Sequence, residues 1–231
     1  GDMEVFCAVA GRLGAALART DKVDAIQQGA LAALGQITAS LEEKDAFMRG
    51  HSQRVAVYAR ALAGELSLSA IDRTDLIYAA RVHDLGKYGI SDNILHKKAA
   101  LTPPEYALVQ GHPVMGQRLL EACRATHGMA GAVRHHHERA DGRGYPDGLQ
   151  NSRIPLLARI LTVVDAFDSM TGSRPYRDGL GAERAQEEIR ANSGSQFDGE
   201  VAEVFCERVA VRPFDELCPP GSRLGVGLES E

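Results

Sequence analysis

Apolar residues recur every three or four positions along most of the chain, and strict polar–apolar alternation is scarce. That periodicity predicts helices. Val5, Val9, Leu13 and Leu17 form a four-residue stripe over residues 3–19, and a second helical pattern covers about 22–44; neither segment carries candidate metal ligands. From Gly50 the character changes. Val55, Tyr58, Ala59, Leu62 and Leu66 keep helical spacing, and His51 sits one turn before Val55, so it faces the core. In "DRTDLIYAARVHDLGK", Leu76, Ala79, Ala80 and His83 are in phase, Asp84 follows Ala80 by four, and Gly86 ends or kinks the helix. Thr102 caps a helix with Pro103 and Pro104 in its first turn, and His112 lies at a break between Gly111 and Pro113. Residues 135–155 start as a helix end and become a loop rich in glycine, proline and aspartate. A strongly apolar helix then runs through "LLARILTVVDAFDSMT", with Asp165 one turn after Leu161. The expected fold is all-α.

This pattern puts titratable groups where apolar ones belong. Buried charge is costly unless it is paired or bound to a metal. The inward set is His51, His83, Asp84, His112, the run His135–His137, and Asp165. Imidazole and carboxylate suit Fe, Mn, Ni or Zn, and no thiolate accompanies them. Each residue alone has an ordinary explanation: a hydrogen-bonded core histidine, a surface His-Asp pair, a helix cap. Their ordered recurrence on successive apolar faces points to a metal centre. His96 and His127 lie near polar connections and are expected on the surface. "DGRGYPDG" is ordinary turn chemistry taken alone, and "SRPYRDG" an ordinary basic turn. Arg174 and Arg177 nevertheless follow Asp165 by nine and twelve residues, near enough to meet an anion held at the metals.

Composition narrows the class further. The 231 residues allow one large domain or a domain with a small appendage, and 44% apolar with 25% charged content is that of a globular protein. A net charge of −5 and a pI near 5.9 give no field for duplex DNA, while a local basic pocket for a small anion stays open. Cys7, Cys123, Cys206 and Cys218 form no CxxC, so neither a disulfide framework nor a thiolate zinc site is expected, and a reducing cytoplasm fits. No run approaches the roughly 18 apolar residues of a membrane span.

Together, "HSQRVA", "HDLGKYGISDNILHK", "HPVMG", "HHERADGRGYPDGL", "ARILTVVDAFDSMT", "RPYR" and "FDGEV" resemble the HD-GYP family, a branch of the HD phosphohydrolases that cleaves cyclic di-GMP. These motifs run in family order over about residues 44–207. The resemblance implies an HD-type helical bundle extended by GYP-type helices. It divides the chain into an N-terminal helical segment 1–44, read as a linker or the end of a truncated sensory domain, a catalytic domain 45–210, and a tail 211–231. It assigns His51, His83, Asp84 and Asp165 to one metal and His112, His136 and His137 to a second, with Asp84 bridging. Lys87 falls beside the scissile phosphate, Arg174 and Arg177 on phosphate, and Gly144, Tyr145 and Pro146 around the substrate. His135 lies outside the paired-histidine motif that ends at Glu138. Some relatives bind a third ion through a glutamate where this chain has Phe47, so two divalent ions are expected, Fe or Mn first and Ni or Zn as alternatives. "FDG" stands where the family usually has FDP, and no chemistry is attached to it.

The implied reaction is hydrolysis of cyclic di-GMP by a bridging hydroxide to the linear dinucleotide, with GMP as the product of a second cut. Cyclic GMP-AMP is an alternative substrate, and a diguanylate cyclase or other signalling protein an alternative partner through the GYP loop. Two other classes stay open at this level. One is a cyclic di-GMP sensor or docking domain without turnover, against which the complete ligand set and Lys87 argue. The other is a diiron oxygenase, which the GYP loop and arginine pair suit less well.

Overall fold

The computed structural model describes residues 29, 32–40, 42–43, 48–122, 126–172 and 179–219. Residues 32–40 are helical. They are followed by α1 (His51–Glu65), α2 (Ala70–Val82), a 3-10 turn (Leu85–Gly89), α3 (Asp92–Leu95), α4 (Pro103–Gln110), α5 (His112–Glu121) and α6 (His127–His135). After the GYP loop come α7 (Leu156–Thr171), α8 (Ala182–Ala191), α9 (Gly199–Val204), a π turn (Phe205–Val209) and α10 (Phe214–Leu217). No strand occurs among the described residues, where β pairing is limited to the bridges Asp141–Gln150 and Ser193–Phe197. The fold is all-α, as the periodicity predicts.

Helix α7 is the axis of the bundle. Ala158, Ile160, Leu161, Val163, Val164 and Phe167 are all buried, so it is apolar on more than one face, as a central helix must be. It packs on α1, α2, α6 and α8. Burial of each of its larger aliphatic side chains is worth about 1.5–3 kcal/mol. At the end of α7, Phe167 meets Tyr58 edge-on at 5.2 Å and Phe205 at 5.0 Å, and Tyr58 also meets Phe214 at 5.6 Å. Through this aromatic seam the segment beyond residue 210 packs on α1, where Arg60 Nη2 donates to the Leu217 carbonyl at 2.6 Å.

Local signals set several helix starts. Thr102 and Glu105 form a capping box with Pro103 and Pro104 in the first turn of α4. Ser69 accepts from the Asp72 amide at the start of α2. Gly50, at φ 70°, occupies the left-handed region that glycine enters without strain, and so turns the chain into α1 with His51 as its first residue.

One expectation changes. Helix α2 ends at Val82, before the His-Asp pair, and the chain tightens into the 3-10 turn. Gly86 does not break a helix there: it permits close approach. A Cβ on Gly86 would strike the His112 carbonyl and lie 2.7 Å from the Gly116 amide nitrogen, while one on Gly116 would lie 2.9 Å from Val133 Cγ1. The His83–Asp84 turn can therefore sit directly against the start of α5.

Gly86→Ala is expected to destabilise the fold by about 1–3 kcal/mol through backbone overpacking. Gly131→Ala, in mid-α6 with no heavy atom within 4 Å of the added Cβ, is expected to stabilise it by roughly 0.5–1 kcal/mol. Urea unfolding of both variants measures the contrast, and matching midpoints would rule out the close approach.

Candidate metal centre

The histidines reach one centre from helix ends. A helix leaves its last carbonyls without intrahelical partners. His83 follows α2, and its Nδ1 lies 2.8 Å from the Ala80 carbonyl oxygen. His136 follows α6, with Nδ1 2.7 Å from the Val133 oxygen, and His112 follows α4, with Nδ1 2.7 Å from the Val109 oxygen. A carbonyl only accepts, so each Nδ1 carries the proton and each Nε2 turns its lone pair inward. His51, at the start of α1, takes a different partner. Its Nδ1 lies 2.7 Å from Asp168 Oδ2 on α7. Arg54, one turn later in α1, donates to Asp168 through Nε at 2.8 Å and Nη2 at 3.0 Å.

Two carboxylates complete the arrangement. Asp84 Oδ1 lies 3.3 Å from His112 Nε2, while its Oδ2 lies 3.5 Å from His83 Nε2 and 2.6 Å from Lys87 Nζ. Asp165 Oδ1 lies 3.2 Å from His51 Nε2 and 3.9 Å from His83 Nε2. The potential ligand atoms of His51, His83 and Asp84 fall within 4.8 Å of one another, and those of His112, His136 and His137 do the same. Asp84 thus faces both groups, one oxygen towards each.

The electrostatics keep Asp84, Asp165, His136 and His137 in ligating form. Burial, reinforced by neighbouring imidazoles, pushes His136 well below the ordinary histidine range, and burial pushes His137 down to about 4. Burial alone would raise Asp84, but Lys87 and the adjacent histidines outweigh it and hold the carboxylate ionised. For Asp165 burial is likewise outweighed, chiefly by its hydrogen bond to His51. For His51 burial opposes protonation, yet Asp165 and Asp168 raise it to about 10.

This donor set fits a divalent cation. His83 Nε2 is buried and makes no hydrogen bond. His112 Nε2 and His136 Nε2 face each other at 3.4 Å, lone pair to lone pair, and a cation relieves that repulsion.

Beside these groups lies a cavity of about 360 Å³, whose polar floor includes His51, Asp84, Lys87, His137 and Asp165 and whose wall includes Ile94, Leu95, Leu101 and Val109. Thr38 and Glu42 line it too, although the sequence offered no candidate before residue 50; Glu42 Oε1 accepts from the Ser52 amide at 2.8 Å. His96 is exposed, as expected, but its exposed surface lies on this cavity. His127 stands apart, with Nε2 2.9 Å from the Glu121 carbonyl oxygen.

The GYP loop is clamped to the end of α6. A Cβ on Gly144 would lie 2.5 Å from both the Arg139 nitrogen and Glu138 Cα, so the loop passes where only glycine fits. The Tyr145 amide donates to the His137 carbonyl at 3.2 Å, and its ring lies 4.9 Å from the His137 ring. Gly144, Tyr145 and Pro146 are not among the residues that line the cavity. His135 points away from the centre, to Asp147 Oδ2 at 3.4 Å and Glu138 Oε1 at 3.7 Å. These three could form another ligand group, but its carboxylates are committed elsewhere. Glu138 accepts from the amides of Asp147 at 2.7 Å and Leu149 at 3.0 Å, and Asp147 pairs with both Arg134 Nε and Nη2 at 2.7 Å. Arg174, Arg177 and Phe47 lie outside the described residues.

Sequence reasoning passed over Asp168, Arg54 and Glu138 as orienting groups. The signal was available: Asp168 and Arg54 each lie three residues beyond a singled-out ligand candidate, hence on the same helix face. Glu138→Gln leaves one amide facing a donor, and is expected to cost about 1–3 kcal/mol and to speed proteolysis within residues 139–149. Unfolding and limited digestion measure both; wild-type behaviour in each would contradict the clamp.

A family model described as HD domain matches residues 36–201. The chain is 39% identical over 191 residues to a cyclic di-GMP phosphodiesterase of Pseudomonas aeruginosa, covering 82% of this chain and 46% of that protein. It is 38% identical to a cyclic di-GMP phosphodiesterase of Thermotoga maritima (71% of this chain, 45% of that one) and 36% identical to a 3'3'-cGAMP-specific phosphodiesterase of Vibrio cholerae (77% and 38%). The chain therefore spans less than half the length of these relatives. Among solved structures, a cyclic GMP-AMP-specific phosphodiesterase of V. cholerae shares the fold at a TM-score of 0.63 and 21% identity, covering 82% of this chain and 51% of that chain. An HD-GYP-type protein of Bdellovibrio bacteriovorus shares it at 0.54 and 20%, covering 68% and 50%. With the matched span taking in the buried histidines and aspartates of the centre, the chain belongs to the HD domain family, within which its motifs resemble the HD-GYP branch.

Proposed function

We propose that this chain is a metal-dependent phosphodiesterase that hydrolyses cyclic di-GMP to the linear dinucleotide, and that residues 45–210 form its catalytic domain. The observation that carries the proposal is Asp84, which turns one carboxylate oxygen to each histidine group and has the Lys87 ammonium beside it. His51, His83, Asp84 and Asp165 would hold one divalent ion, and His112, His136 and His137 with Asp84 a second. Iron or manganese is the first choice for this nitrogen–oxygen donor set, with nickel or zinc as alternatives. Such ions, when bound, supply Lewis-acid charge at phosphoryl oxygens and an activated water at neutral pH.

The chain's own residues do the rest. Lys87 keeps a positive charge where negative charge builds on the phosphate, which favours the transition state over the ground state. The apolar wall of Ile94, Leu95, Leu101 and Val109 gives a purine face a surface that excludes water. The GYP loop holds Tyr145 against His137, and Gly144, Tyr145 and Pro146 thereby bound the substrate side of the centre. Arg174 and Arg177 are proposed to bind the second phosphate of the cyclic dinucleotide, which orients it. GMP follows from a second cut. Relatives named for cyclic di-GMP and for 3'3'-cGAMP make both dinucleotides substrates to compare. No helix among the described residues is long and apolar enough to cross a membrane, and the buried Cys206 is a free thiol, which suits a reducing cytoplasmic setting.

Protein purified without oxygen and loaded with Fe(II) or Mn(II) is expected to convert cyclic di-GMP to linear dinucleotide by chromatography, and to lose this activity on chelation. Asp84→Asn is expected to lower turnover by more than about 100-fold together with metal content. Binding of cyclic di-GMP with no product from the loaded wild type would instead favour a sensor.

A further inference from the structure

We infer that Asp168, held by Arg54, is a positioning residue that selectively strengthens the metal position containing His51, so that the two positions are unequal by construction. This inference rests on the dinuclear reading above. His83, His112 and His136 each anchor Nδ1 on a neutral carbonyl three residues back, supplied by the helix they follow. His51 makes no such contact: the carbonyl three residues back, that of Met48, accepts from the His51 backbone amide at 2.9 Å. The His51 ring uses a buried carboxylate on α7 instead, and that carboxylate is itself fixed by a two-pronged guanidinium contact.

The difference is one of charge as well as geometry. A carboxylate accepting from Nδ1–H makes Nε2 a stronger donor than a carbonyl does, and fixes the ring plane. The same side of the centre also holds Asp165, whereas the second group, His112, His136 and His137, consists of three imidazoles. Asp168 Oδ2 accepts from His51 and Arg54 at once, and Oδ1 accepts from Arg54. An asparagine has one acceptor oxygen, so either His51 or Arg54 would then face an N–H donor.

The test is titration of metal-free protein with Co(II), followed by visible absorption and by bound-metal analysis. Wild type is expected to show two binding events. Asp168→Asn is expected to weaken one of them by about 10–100-fold while sparing the other, with wild-type circular dichroism. Arg54→Gln, which leaves the His51 contact in place, is expected to shift the same event less, and it carries the test if the asparagine variant does not fold. Arg159→Gln, which breaks the unrelated ion pair of Arg159 Nη1 with Asp198 Oδ2 at 2.7 Å, is expected to change neither event. Two events of wild-type affinity in Asp168→Asn overturn the positioning role and leave the dinuclear reading standing. Equal weakening of both events overturns the selectivity. Fewer than two events in the wild type defeats the dinuclear reading itself.

Discussion

The Asp84 carboxylate sits buried between two sets of imidazoles, and the geometry around it depends on keeping that charge compensated. An isolated ionised carboxylate would be expelled or neutralised in such a place. Here the Lys87 ammonium lies at 2.6 Å, and the His83 and His112 ring nitrogens, at 3.5 and 3.3 Å, are placed to share a cation with the carboxylate. That convergence requires the 3-10 turn after α2 to touch the start of α5, which is possible because Gly86 has no side chain to hold the two backbones apart. Chemistry and packing are here one constraint.

A second economy lies in how the rings are aimed. Placing histidines just past helix ends uses carbonyls that would otherwise lack partners, so a neutral tautomer and an inward lone pair follow from helix geometry. The exception, His51, turns Nδ1 to the Asp168 carboxylate, which Arg54 holds. The GYP loop is anchored in the same spirit: Glu138, adjacent to the paired histidines, holds the loop by two of its amides, and the loop returns Tyr145 to the His137 ring.

Much of this was legible in the chain. Helical periodicity marked out α1, α2, α4 and α7, and it put His51, His83, Asp84 and Asp165 on inward faces because a 3.6-residue period leaves little choice once the apolar stripe is known. Less legible were Thr38 and Glu42, which face the cavity from a segment with no ligand pattern, and His96, an exposed residue whose exposure happens to be on the cavity wall. A periodic pattern separates inside from outside, but a cavity wall belongs to neither class.

What the sequence determined by itself was the helical architecture, the inventory of buried imidazoles and carboxylates, and their order along the chain, since all three follow from local spacing and from the cost of burying charge. Only the tertiary structure decided which carboxylate oxygen meets which ring, that α2 stops before His83, that His135 turns to the loop, and that Asp168 supports His51. The last of these depends on atoms more than a hundred residues apart in the chain, those of His51 and Asp168, coming within about 3 Å. Local periodicity has no term for such contacts, because they are set by how helices pack.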